Sequence, residues 1–174
     1  MDRAWAVVGW PEHTVDINQS WSQCEDRVAG IGNDFRGDDG AGLAAVRHLR
    51  SRSLPQVDIV ELNGDITTLV DFLQACDAAI LIDAVRSANS SGTIHRIDVS
   101  QEPLPADDNQ RSTHGISLSS VIELARAGDS FPGRLIFYGI DGESYDHSPI
   151  LTPRVTEAVT KVVALVADEI SSWK

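Results

Sequence analysis

A chain of 174 residues with 42% hydrophobic and 23% charged residues has enough apolar mass for one self-supporting core, without disulfide or metal staples. Fourteen Lys and Arg against 26 Asp and Glu leave a formal charge of -12, a field that repels phosphate backbones and anionic lipid and so argues against nucleic acid and membrane surfaces as partners. Cys24 and Cys76 form no CxxC pair, no apolar run reaches the roughly 18 residues of a bilayer span, and no export signal is read in residues 1–10, so a cytoplasmic location is expected.

From residue 27 onward, short β-rich runs alternate with segments whose apolar residues recur at helical spacing, the pattern of an α/β sheet with helices on both faces. Residues 28–32 read as a buried first strand, and residues 41–52 follow as a helix with Leu43, Val46 and Leu49 on one stripe. A second strand is expected at 57–62. Ile66, Leu69, Val70 and Leu73 then mark an amphipathic helix over 65–75, crossing to the near-continuous apolar strand 78–82, which should lie centrally. Only eight residues, 84–91, separate that strand from Gly92 and the next strand at 93–99, fewer than the dozen or so that a parallel crossover requires, so this strand should run antiparallel at an edge. Residues 100–113 have loop chemistry and lead into a helix patterned by Leu118, Val121, Ile122 and Ala125. Residues 135–138 form the last strand. Thr152 as N-cap and Pro153 at the first helical position open a terminal helix with Val155, Val159, Val162, Val163, Val166 and Ile170 on one stripe. The expected architecture is a three-layer α/β sandwich: a mostly parallel twisted sheet of about five strands with one antiparallel edge. Residues 27–174 form its single domain, and residues 1–26, with Trp5, Trp10 and Trp21, are an extension that this scheme does not place.

Ligands of open α/β sheets bind beyond the carboxyl ends of the strands, near the point where strand order reverses. Three such places carry chemistry. After the first strand comes Gly30-Ile31-Gly32-Asn33-Asp34-Phe35-Arg36-Gly37-Asp38-Asp39-Gly40, after the central strand Asp83, and before the helix of Leu118 the run Ser112-Thr113-His114-Gly115. The glycines do not make a dinucleotide loop, because Phe35 occupies the third glycine position and three acids would repel a pyrophosphate. Asp38 and Asp39 each have an ordinary explanation as helix-start acids, and His114 as a polar neighbour of a cap. Asp83 is harder to dismiss, since a charge following Ile80-Leu81-Ile82 needs a compensating donor, cation or metal. Together, Asp39, Asp83 and His114 offer two carboxylates and one imidazole with coordination positions left open, suited to a divalent transition ion. Asp65 reads as a helix cap that can reach the same crevice. No GxSxG, HExxH or Ser-x-x-Lys motif is present, and Cys76 reads as core rather than nucleophile. His13, His48, His95 and His147 are explained by solvation or local bonding.

In this order, Gly30-Ile31-Gly32-Asn33, Gly37-Asp38-Asp39-Gly40-Ala41-Gly42, Leu81-Ile82-Asp83-Ala84-Val85, Ser112-Thr113-His114-Gly115, Tyr138-Gly139-Ile140 and Leu151-Thr152-Pro153 resemble the hydrogenase maturation proteases over residues 27–174. The resemblance implies an endopeptidase that removes a C-terminal extension from the large-subunit precursor of a nickel-iron hydrogenase after nickel insertion. Nickel would be supplied by the substrate and no organic cofactor is implied. The carried-over metal-contacting and catalytic residues are Asp39, Asp83 and His114, with Asp38, Asp65 and Asn33 around them. Asn63-Gly64-Asp65 and Asp146-His147-Ser148-Pro149 depart from the turns usual in such proteins. Two alternatives stay open at this point: a peptidase of broader specificity that carries its own metal, and a non-catalytic checkpoint that docks a metal-loaded partner. Nothing marks a dimer surface.

Overall fold

A computed structural model describes residues 26–52, 54, 56–62, 67–74, 76–105, 117–128 and 131–173. The extension, apart from Asp26, lies outside the described residues, as do Asp65 and His114.

Strand β1 (Asp26–Ile31) leads through a 3-10 turn (Gly37–Gly40) into α1 (Ala41–Arg50), and β2 (Val57–Leu62) is followed by α2 (Thr67–Leu73). Then come β3 (Ala78–Val85), β4 (Ile94–Asp98), α3 (Leu118–Ala127), β5 (Arg134–Asp141) and α4 (Pro153–Ser172). The sheet order is β2-β1-β3-β5-β4, with β4 antiparallel to β5 at the edge and every other pairing parallel. The short β3–β4 connection thus has the predicted consequence. The expected three layers are present, with α1 and α4 on one face of the sheet and α2 and α3 on the other. Right-handed crossovers account for this division, because the chain moves outward from β1 to β2 and then back past β1 to β3, changing face as it reverses.

Two strands run further than their apolar cores predict. β3 continues through Asp83 to Val85, with Asp83 paired to Gly139, and β5 continues to Asp141. Asp83 is therefore inside the central strand rather than after it, because parallel pairing continues wherever the neighbouring strand still offers backbone partners, whatever the side chain. The helix expected over 41–52 stops at Arg50. Buried Arg27 closes a different end: its Nη1 donates to the carbonyls of Phe72 and Gln74, at 2.7 and 2.9 Å, at the carboxyl terminus of α2, where helical carbonyls lack partners of their own. Cys76 is buried, as expected of a core residue, and burial pushes its thiol up to about 11.

At Gly42, helix α1 meets the sheet with no side chain between them. A Cβ on Gly42 would stand 2.3 Å from the carbonyl oxygens of both Ile31 and Ile82, and one on Gly30 would stand 2.1 Å from the Gly42 oxygen. Helix and strand backbones are in contact where β1 and β3 diverge in chain order. Gly42→Ala should cost about 3 kcal/mol or more of unfolding free energy, since none of the obstructing atoms belongs to a movable side chain. A urea midpoint equal to that of the wild type would contradict this packing.

Candidate active site at the carboxyl ends of β1 and β3

The reversal of strand order falls between β1 and β3, so the crevice favoured for ligands opens at their carboxyl ends. Asp39 and Asp83 both belong to that end of the sheet. Gly32, at φ 148°, makes the first possible: a Cβ there would be 1.9 Å from the Asp39 carbonyl oxygen. The loop after β1 folds back on itself, with the Asn33 amide donating to the Asp39 carbonyl at 3.2 Å and the Asn33 Oδ1 accepting from the Phe35 amide at 2.9 Å. Asn33 thus shapes the loop rather than touching either carboxylate. Asp34 is drawn off the site by Arg47, whose guanidinium holds both its oxygens at 2.8 and 2.6 Å.

Asp38 has a different task from its neighbour. It is fully buried, and its Oδ2 accepts from the amides of Glu143 and Ser144 at 2.8 and 2.9 Å and from Thr152 Oγ1 at 3.0 Å. Its Oδ1 accepts from the Thr152 amide at 2.7 Å. The expected helix-start role is real but lies elsewhere, since Asp38 caps no donor of α1 and instead holds Thr152, the N-cap of α4. That explains why the Thr152 side chain makes no cap bond of its own. Backbone bonds reinforce the junction, from Asp38 N to Ser144 O at 2.8 Å and from Gly37 N to Ser148 O at 2.6 Å.

Tyr145 belongs to the turn whose Glu143 and Ser144 amides Asp38 holds. Its hydroxyl donates to the Val85 carbonyl at 2.7 Å, and the Arg86 guanidinium lies 3.8 Å from its ring centroid. Burial holds the phenol far above its ordinary value; Arg86 opposes this, and the charges of Asp39 and Asp83 add to it. Both carboxylates thus bear on the phenol electrostatically. Burial also pushes the Asp39 carboxyl up from 3.8, with Arg36 and Arg86 partly offsetting it. Asp83 is 6% exposed, and its Oδ1 accepts from the amide of Ala84 at 2.7 Å. By strand alternation its side chain shares the α2/α3 face of β3 with Leu81 and Val85.

Among the described residues no three His, Cys, Asp or Glu side chains cluster to hold a metal ion. Tyr145 and Arg86 were not singled out by the sequence reading. Tyr145 lies in a polar turn that long-range bonds, to Asp38 and from Gly142 N to Val85 O, bring over β3. No helix of the described residues is long and apolar enough to cross a membrane.

Comparison with known proteins is consistent along most of the chain. The sequence profile of the hydrogenase maturation proteases, HycI, matches residues 43–169. The hydrogenase expression/formation protein HupD of Thiocapsa roseopersicina is 26% identical over 155 residues, spanning 87% of this chain and 70% of that protein. Among solved structures, the hydrogenase maturating endopeptidase HybD from Escherichia coli has a TM-score of 0.74 at 24% identity, covering 85% of this chain and 93% of its own. The hydrogenase 2 maturation peptidase from Thaumarchaeota archaeon SCGC_AB-539-E09 has a TM-score of 0.62 at 26% identity, covering 84% and 97%.

Two stability measurements separate the adjacent acids. Asp38→Asn turns an amide NH2 toward donors that need an oxygen, and should cost about 3 kcal/mol. Asp39→Asn should do the reverse. A carboxyl whose folded pKa lies above its unfolded value binds its proton more tightly when folded, so its charge costs stability above that pKa and the cost disappears as pH falls through it. Asp39→Asn should therefore raise Tm at pH 7, with the gain vanishing toward pH 3.8; a lowered Tm at pH 7 would refute the assignment.

Proposed function

The chain belongs to the hydrogenase maturation protease family, a family of endopeptidases, and from that premise we propose that it removes the C-terminal extension of the large-subunit precursor of a nickel-iron hydrogenase. In this reading the nickel seated in the precursor is part of the substrate, and Asp39, Asp83 and His114 contact it. The action is cytoplasmic, and no organic cofactor takes part.

The observation that supports the reading is the position of two acids at the carboxyl end of the sheet where strand order reverses, Asp39 in the 3-10 turn after β1 and Asp83 in β3. Two acids at this end of the sheet suit a cation, and Arg36 and Arg86 only partly offset the charge of Asp39. Peptide hydrolysis needs a polarised carbonyl and an activated water. The substrate's metal supplies the first as a Lewis acid, and a carboxylate at the crevice supplies general-base capacity for the second. Burial of Asp39 suits that task, because a raised carboxyl pKa makes a stronger base. Tyr145 stays protonated, its hydroxyl committed to the Val85 carbonyl, and serves to hold β3 against the 142–148 turn rather than to move a proton. Asp38 and Asn33 set the course of the loop that bears Asp39.

The test is a processing assay on purified large-subunit precursor, read by intact mass. Wild-type protein should shorten nickel-loaded precursor and leave nickel-free precursor whole. Asp39→Asn, Asp83→Asn and His114→Ala should each slow cleavage about 100-fold or more, in keeping with the worth of a positioned acid-base or ligand group. Undiminished processing by all three variants would remove the residue assignment, and equal processing of nickel-free precursor would remove metal recognition. A stable complex whose precursor mass never changes would favour a checkpoint protein instead.

A further inference from the structure

Beside Asp83, on the α3 face of the sheet, lies a cavity of about 240 Å³. Its apolar lining comes from Val85, Ile97, Leu104, Leu118 and Phe137, and its polar lining includes His95, Arg86 and Ser119. The volume falls below the range typical of whole small-molecule ligands and suits one side chain. Val85 stands two residues beyond Asp83 on the same face of β3, a spacing of roughly 6.6 Å along the strand. A peptide residue seated in the cavity is therefore within one or two residues of whatever Asp83 touches.

The polar wall of the cavity is built and not incidental. Asp141, 1% exposed at the end of β5, accepts at Oδ1 from the Ser87 amide and at Oδ2 from Ser87 Oγ, both at 2.9 Å. Its Oδ2 also lies 2.6 Å from His95 Nε2. A carboxylate that already takes two donors from Ser87 has only acceptor capacity to offer, so His95 Nε2 carries the proton and donates. The ring, its side chain 30% exposed, is left with Nδ1 as its uncommitted polar atom. The edge-strand histidine, expected to be solvated or locally bonded, is oriented by a buried acid, in the manner by which one ring nitrogen fixes the role of the other.

We propose that this cavity is a specificity subsite of the peptidase, taking one large apolar side chain of the precursor next to the scissile bond, with His95 Nδ1 accepting a hydrogen bond from that residue's backbone amide. Asp141 is the positioning residue, holding His95 and, through Ser87, the segment that carries Arg86. The proposal rests on the peptidase reading above and goes further by naming what the enzyme selects. A subsite that combines an apolar wall with a fixed acceptor discriminates by size and by backbone register, as peptide-binding pockets beside strand edges do.

The experiment uses full-length protein and nickel-loaded precursors whose residues on either side of the cleavage point are changed in turn to Ala, Leu, Phe and Asp. At one of these positions the wild type should prefer Leu or Phe over Ala by about tenfold in kcat/KM, the usual worth of a few buried methylenes. Ile97→Trp, which fills the cavity, should abolish or invert that preference, and Leu104→Trp, from the loop after β4, should do the same where strand packing suffers in the first variant. His95→Ala should raise KM with little change in kcat and leave the order of preference intact, whereas Asp141→Asn should reproduce the His95→Ala effect. An unchanged preference profile in both filled-cavity variants overturns the subsite while the peptidase reading stands. A wild type that cuts no precursor overturns both.

Discussion

The carboxylate of Asp38 is the constraint on which the site depends. One buried acid accepts four hydrogen bonds from a turn and a helix start more than a hundred positions away, and it stands beside Asp39 in the chain. Two adjacent aspartates divide the labour: the first is saturated by the protein's own donors, while the second is left at the crevice with its charge only partly offset. Because consecutive residues of a tight 3-10 turn point in different directions, fixing one fixes the aim of the other. The same junction carries the 142–148 turn over β3 and so delivers Tyr145 to the neighbourhood of Asp83.

The electrostatics of the crevice follow from an economy of cations. The guanidinium groups near the site are largely committed elsewhere, Arg47 to Asp34 and Glu61 and Arg50 to Glu61. Those exposed pairs add little to stability, but they keep Asp34 and Glu61 out of the crevice. What remains is Asp39, whose burial raises its carboxyl pKa and whose charge Arg36 and Arg86 only partly offset. On the opposite side of the sheet the pattern differs: Glu169 takes a bidentate bond from Arg96 and a bond from the Tyr138 hydroxyl, an arrangement that staples α4 to β4 and β5 and leaves no charge uncompensated.

The sheet's carboxyl end is thereby organised as a strip rather than a point. Asp39, Asp83 with Tyr145, and the His95–Asp141 pair beside its cavity follow one another across β1, β3, β5 and β4. An extended peptide laid along that strip would meet the acids first and the cavity within a residue or two. Endopeptidases need such a strip, because they must hold chain on both sides of a bond.

Periodicity and connection length determined much of this protein without coordinates. The apolar run before Asp83 marked the central strand, and the short span from residue 84 to 91 dictated an antiparallel edge, because a parallel return needs more chain. Asp83 stood out as a candidate because a charge following an apolar run is costly, whereas Asp39, explicable alone as a helix-start acid, stood out only in combination with Asp83 and His114. The roles of Asp38, Tyr145, Arg86 and Asp141 were decided only by tertiary structure. Each acts through a partner far along the chain, Asp38 through Thr152, Tyr145 through Val85 and Asp141 through His95. Sequence records which groups exist and how each segment prefers to fold; which donor meets which acceptor depends on the order in which strands assemble, a long-range outcome of burial that no local pattern encodes.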